Sequence, residues 1–101
     1  MVDYRVLVEE FSREMLKRLL EKRRDYGDSW LDVSIPHLCG RLVEEFFEWI
    51  KTSYPWGPSE TIDEEMKELV DIANQCLLLY FRLKMHKKDL EKVICDGSFF
   101  C

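Results

Sequence analysis

The chain has 101 residues, 47% of them hydrophobic, and a formal net charge of −5. That length predicts one domain, burying roughly 60–70% of the surface its unfolded chain would expose; the apolar content argues against disorder. The acidic balance argues against a general nucleic-acid-binding surface, yet leaves room for a nucleotide whose charge a metal offsets.

No apolar run approaches the roughly 18–20 residues of a membrane-spanning helix; the longest is Cys76 to Phe81. The segment Met1 to Arg5 is charged at once and does not read as a signal peptide. A cytoplasmic protein with no membrane partner is expected.

Helical periodicity runs through the chain, and its few Gly and Pro fall between periodic segments. The first helix is expected from about Asp3 to Arg24. Tyr4, Leu7, Val8, Phe11, Met15 and Leu19 form its apolar stripe. Lys22, Arg23 and Arg24 occupy the last turn, where cations suit the helix dipole, and Gly27 suits the left-handed residue that ends it. A loop from Tyr26 to Ser34 carries Trp30.

Ser34 is a candidate N-cap for a second helix, with Pro36 tolerated in its first turn. That helix ends near Thr52 or Ser53, because Tyr54-Pro55-Trp56-Gly57-Pro58-Ser59 cannot continue it. Thr61 to Glu64 fits a capping box. The third helix runs from there to about Lys87, and Asp89 to Cys95 either continues it or forms a short fourth helix. One all-α domain spanning residues 1–101, an antiparallel helical bundle, follows from helices joined by short loops.

The four cysteines lack Cys-x-x-Cys spacing, which argues against zinc. Cys39 and Cys76 lie in apolar helical patterns and are expected to be buried thiols. Cys95 and Cys101 bracket a short tail and could close a loop; in a reducing cytosol they stay thiols.

Two acidic clusters stand out. Glu44-Glu45-Phe46-Phe47-Glu48 is followed, after nineteen residues, by Glu68-Leu69-Val70-Asp71. In each, two carboxylates stand three residues apart and point from one side of a helix. Leu38, Leu42, Glu45 and Trp49 fall on one stripe of the second helix, with Glu48 beside it, so Glu45 sits where the pattern wants Leu. Glu44 lies off the stripe. On the third helix Glu68, Asp71, Ile72, Gln75, Leu79 and Arg82 share a broad face, and Asn74 flanks Asp71.

Acids on helices are commonly solvated surface charges, and Glu9, Glu10 and Glu14 illustrate this on the first helix. Two pairs that both interrupt apolar stripes, on helices that fold back on each other, instead suggest four converging carboxylates. Such a group needs a counter-charge if buried. A carboxylate set with no histidine favours Mg2+, or Mn2+, over zinc or copper. Neither His37 nor His86 follows an acid by three residues, which disfavours a di-iron bundle.

Glu44-Glu45-x-x-Glu48 with Glu68-x-x-Asp71 resembles the signature of the MazG-like all-α nucleoside triphosphate pyrophosphohydrolases, a superfamily that includes dimeric dUTPases and phosphoribosyl-ATP pyrophosphatases. The resemblance covers roughly Tyr26 to Leu83. It implies Mg2+ held by Glu45, Glu48, Glu68 and Asp71, and hydrolysis of a nucleoside triphosphate substrate to a monophosphate and pyrophosphate. It leaves Glu44 or Glu48 to orient the attacking water. It also implies a bundle completed by subunit association, as a homodimer or homotetramer. Lys22-x-x-Asp25-Tyr26-Gly27-x-x-Trp30 resembles an element that precedes the acidic helix in some small MazG-like proteins.

Four residues are candidate substrate contacts. Trp30 and Trp56 lie in loops beside the acidic helices and could stack on a base, although such aromatics also serve as packing anchors. Asn74 could hydrogen-bond a ligand or a carboxylate. Arg82 could meet a phosphate, but it lies roughly 16 Å along the helix from Asp71, so a neighbouring subunit's substrate is the better match. Lys51 and Lys84 are weaker candidates of the same kind. Trp49 belongs to the core stripe. The alternatives to this reading are a non-enzymatic helical dimerisation module and a phosphoribosyl-ATP pyrophosphatase-like enzyme.

Overall fold

The computed structural model describes residues 1–52 and 62–97, with side chains in the second span described through residue 91. Three α-helices and one 3-10 turn account for them: α1 (Tyr4–Tyr26), the turn Ser29–Leu31, α2 (Ile35–Thr52) and α3 (Ile62–Gly97). Among the described residues there is no strand, and no helix is long and apolar enough to cross a membrane.

The helix ends follow the local chemistry. Asp3 caps α1, its carboxylate accepting from the Arg5 backbone N–H at 3.0 Å. Gly27 closes α1 at φ 60, where a side chain would strain the backbone, and its N–H donates to the Arg23 carbonyl at 2.8 Å. The helix extends past Arg24 to Tyr26, because that cap lies at Gly27. Ser34 Oγ accepts from the His37 N–H at 3.2 Å and starts α2. Asp63, Glu64 and Glu65 occupy the first turn of α3, where acids suit the dipole. Thr61, expected to open a capping box there, lies outside the described residues.

Asp89 to Cys95 continues α3, which is therefore a single helix of 36 residues. No Pro or Gly interrupts Ile62 to Asp96, so nothing in that segment breaks the hydrogen-bond ladder. At about 1.5 Å per residue α3 is about 54 Å long, which sets the longest dimension of the molecule, 57 Å.

α3 packs against both α2 and α1. Arg82 meets Val33 at one end, and Glu68 lies near Glu48 at the other, so α2 and α3 run antiparallel. α1 joins α3 through Met15 and Arg18. The stripe on α2 faces inward as its spacing predicts: Leu38 and Glu45 are buried, Leu42 and Trp49 half-buried.

The interior is unusual in composition. Leu38 and Val70 are the buried apolar residues among those described, while Glu45, Asp71, Asn74 and Gln75 are buried as deeply. Conversely, Tyr4, Leu7, Val8 and Phe11, half of the α1 stripe and more, are exposed. Cys39 and Cys76 are exposed rather than buried. Each directly follows a buried residue, Leu38 or Gln75, and about 100° of helical rotation carries it off the packed side.

Candidate functional site

The two acidic clusters come together, with a division of labour that their spacing did not reveal. Glu45 and Glu48 of α2 and Glu68 of α3 each offer an oxygen within 4.8 Å of the others. Glu45 is buried, Glu68 half-buried and Glu48 exposed. Glu45 Oε2 and Glu68 Oε2 are buried and have no hydrogen-bond partner among the described residues. Unpaired buried carboxylate oxygens are costly. Three carboxylates that close, two of them with a buried oxygen lacking a partner among the described residues, suit a hard divalent cation.

Desolvation is the first cause that raises the Glu45 pKa, and Glu48, Asp71 and Glu68 add repulsion while Lys22 opposes it. Glu68 is raised in the same way, by burial first and then by the charges of Asp71 and Glu48. Both groups therefore resist ionisation where no cation compensates them.

Asp71 stands apart from this triad. Its Oδ1 accepts from Arg18 Nε at 2.9 Å and lies 3.5 Å from Lys22 Nζ. Of the four carboxylates expected to converge, three meet within this distance and the fourth, Asp71, is paired with α1. Burial of Asp71 without metal demands such a partner, and the guanidinium supplies it. The Arg18 pKa is raised, chiefly by its hydrogen bond to Asp71. Lys22 Nζ also lies 3.9 Å from Glu45 Oε1.

Arg18 and Lys22 are site residues to which the sequence reading gave no site role. Their signal was a pair of cations four residues apart, continuing the Met15 to Leu19 stripe toward the end of α1. Glu44 does not join the site: it is exposed and pairs with Arg41 at 3.6 Å within α2. Its place off the stripe accounts for this.

Beside the acids opens a cleft of about 490 Å³ between the end of α1, the connecting loop, the start of α2 and the middle of α3. Trp30, Tyr26, His37 and Leu38 line it, together with Lys22, Asn74 and Gln75, which adjoin the acids. Its volume is in the range of small-molecule sites. Asn74 Nδ2 donates to the Met15 carbonyl at 3.1 Å, tying α3 to α1. Asn74 Oδ1 and Gln75 Oε1 are buried acceptors without a donor among the described residues.

Arg82 has structural partners in the loop before α2. Its Nη1 donates to the Trp30 carbonyl at 2.8 Å and to that of Val33. It thus pins the loop that carries Trp30 over the cleft. Trp56 lies outside the described residues, as do Tyr54 and Cys101, and the Cys95 side chain is likewise not described.

No protein-family model matches the chain, and no solved structure matches it. An uncharacterized protein of Archaeoglobus fulgidus is 31% identical to it over 87 residues, covering 83% of this chain and 89% of that protein. The chain belongs to that protein's family.

Proposed function

We propose that this member of the family is a Mg2+-dependent nucleoside triphosphate pyrophosphohydrolase of the MazG-like kind, converting (d)NTP to (d)NMP and pyrophosphate. The observation that carries the reading is the meeting of Glu45, Glu48 and Glu68, with two donorless buried oxygens, beside a cleft of nucleoside size. Glu45, Glu48 and Glu68 hold the cation, with Asp71 as the adjoining fourth acid. Bound there, Mg2+ supplies charge screening for the triphosphate and polarises its phosphoryl oxygens.

The chain's own groups do the rest. The nucleoside enters the cleft with its base against Trp30, and N–H donors on the base meet the acceptors of Asn74 and Gln75. The phosphates run toward the acids past Lys22. Glu48 is the exposed member of the triad, so it has room to hold the attacking water and accept its proton. Attack in line at phosphorus breaks the α,β-anhydride, and pyrophosphate leaves.

Assembly as a homodimer or homotetramer belongs to the same reading. Tyr4, Leu7, Val8 and Phe11 on α1, Phe46 and Phe47 on α2, and Tyr80 and Phe81 on α3 are all exposed. Apolar surface of that extent on a small domain favours a second copy as its cover. A cytoplasmic role in clearing unwanted nucleotides fits this chemistry.

The test is a panel of canonical and damaged NTPs and dNTPs with Mg2+, scored for pyrophosphate. At least one should be hydrolysed, and Glu68→Gln should abolish its turnover. No release from any of them, together with no Mg2+ effect on stability, would leave the exposed apolar faces as the chain's main feature and make it a helical association module.

A further inference from the structure

Lys22 belongs to two places at once. It lines the cleft, and its ammonium lies 3.5 Å from Asp71 Oδ1 and 3.9 Å from Glu45 Oε1. Glu45 is also one of the three acids whose oxygens converge. A divalent cation bound through Glu45 Oε2 would lie within a few ångströms of the ammonium at Oε1. Two cations that close repel each other, the more so where water is partly excluded.

The neighbouring cation differs in kind. Arg18 is held by two carboxylates, at 2.9 Å from Asp71 and 3.2 Å from Glu21. Among the described residues Lys22 makes two longer ionic contacts, and its side chain keeps 27% of its exposure. A lysine is a point charge on a flexible four-carbon stem, suited to changing partners. Released from Glu45, its ammonium remains at the seam between the acids and the cleft.

We propose that Lys22 is a resident counter-ion of the acid cluster, displaced when a divalent cation binds, and that the freed ammonium then binds the phosphates of the ligand in the cleft. The inference rests on the pyrophosphohydrolase reading for the identity of that ligand. In this role Lys22 opposes the metal and favours the phosphates. Removing its charge should shift the two affinities in opposite directions, whereas loss of a merely structural contact would weaken both.

The experiment uses the full chain. Mn2+ is titrated alone, with free ion counted by electron paramagnetic resonance. Inorganic pyrophosphate is then titrated calorimetrically at saturating Mg2+. Lys22→Met should bind Mn2+ about fivefold more tightly and pyrophosphate about fivefold more weakly, the scale of one partly solvated charge contact. Lys22→Gln should behave likewise, which guards against a folding defect peculiar to one variant, and Lys22→Arg should stay near the wild type in both titrations. Unchanged or weaker Mn2+ binding in both uncharged variants overturns the proposal, as does unchanged pyrophosphate binding. If Glu68→Gln abolishes Mn2+ binding while the Lys22 variants leave it unaltered, the counter-ion role alone fails. If the wild type binds no Mn2+, the functional reading fails and this inference with it.

Discussion

Arg18 Nε donates to Asp71 Oδ1 at 2.9 Å and joins α1 to α3 across 53 positions of sequence. Asp71 is almost fully buried and Arg18 about one-quarter exposed. The pair gives a buried carboxylate its shortest counter-charge. Removing Arg18 leaves Asp71 the longer contact to Lys22 at 3.5 Å, an under-compensated buried charge that costs more than removing both partners.

Arg18→Met should therefore destabilise the protein by about 2–3 kcal/mol, below the value for a fully buried pair because Arg18 is partly solvated. Asp71→Asn in the Arg18→Met background should recover part of that loss. Urea unfolding of the wild type, both single variants and the double variant measures the coupling. Strictly additive losses would show that the pair is not coupled.

The acid triad makes stability depend on pH in a stated direction. The Glu45 and Glu68 pKa values are raised above the ordinary 4.5, first by burial. Below that value both groups are protonated in folded and unfolded chains alike and contribute nothing. As pH rises past it, the unfolded chain loses its protons first, so stability falls until the folded-state groups also ionise. In metal-free buffer, Glu45→Gln should gain on the wild type between pH 4.5 and pH 8. Thermal melts at the two pH values test this; an equal difference at both would show that burial of Glu45 carries no ionisation penalty.

Metal should remove that penalty. A ligand bound only by the native state at a hundred times its Kd adds about 2.7 kcal/mol, and each kcal/mol moves Tm by roughly 4–8 °C in a domain of this size. Mg2+ should raise the Tm of the wild type and of Glu44→Gln, because Glu44 lies outside the triad. Glu68→Gln and Glu48→Gln should show little or no rise. A Glu68→Gln protein that responds like the wild type would remove the site.

The loop bearing Trp30 depends on Arg82. Arg82→Met leaves the Trp30 and Val33 carbonyls without this donor, at a cost of about 1–3 kcal/mol. It should also loosen Trp30 over the cleft, red-shifting its fluorescence in a Trp49→Phe, Trp56→Phe background. Trp30→Ala should weaken nucleotide binding by about one to two powers of ten if the ring stacks on the base, and by more than Trp56→Ala does. An unchanged KM in Trp30→Ala, with lowered Tm, would make the ring a packing anchor.

The exposed apolar residues of all three helices make a prediction about assembly. Light scattering should give a dimer or a tetramer at micromolar concentration. Phe46→Glu with Phe81→Glu should dissociate it, since a charge buried in an apolar interface is strongly unfavourable. A fully active monomer would contradict the assembly.

Local chemistry in the sequence determined the helices and their ends. Asp3, Gly27 and Ser34 act on backbone groups a few residues away, so their effects need no tertiary partner. The spacing of Glu45, Glu48, Glu68 and Asp71 likewise determined which side of each helix they leave, because helical rotation is a property of the single element. What periodicity cannot express is which face meets which. Only packing brought Arg18 and Lys22 to Asp71, and Arg82 to the carbonyls of Trp30 and Val33. It also left Cys39 and Cys76 outside. Those outcomes depend on how three helices share a small interior. There the desolvation of a carboxylate is relieved by whichever cation the fold brings within reach, and that choice is made between elements far apart in the chain.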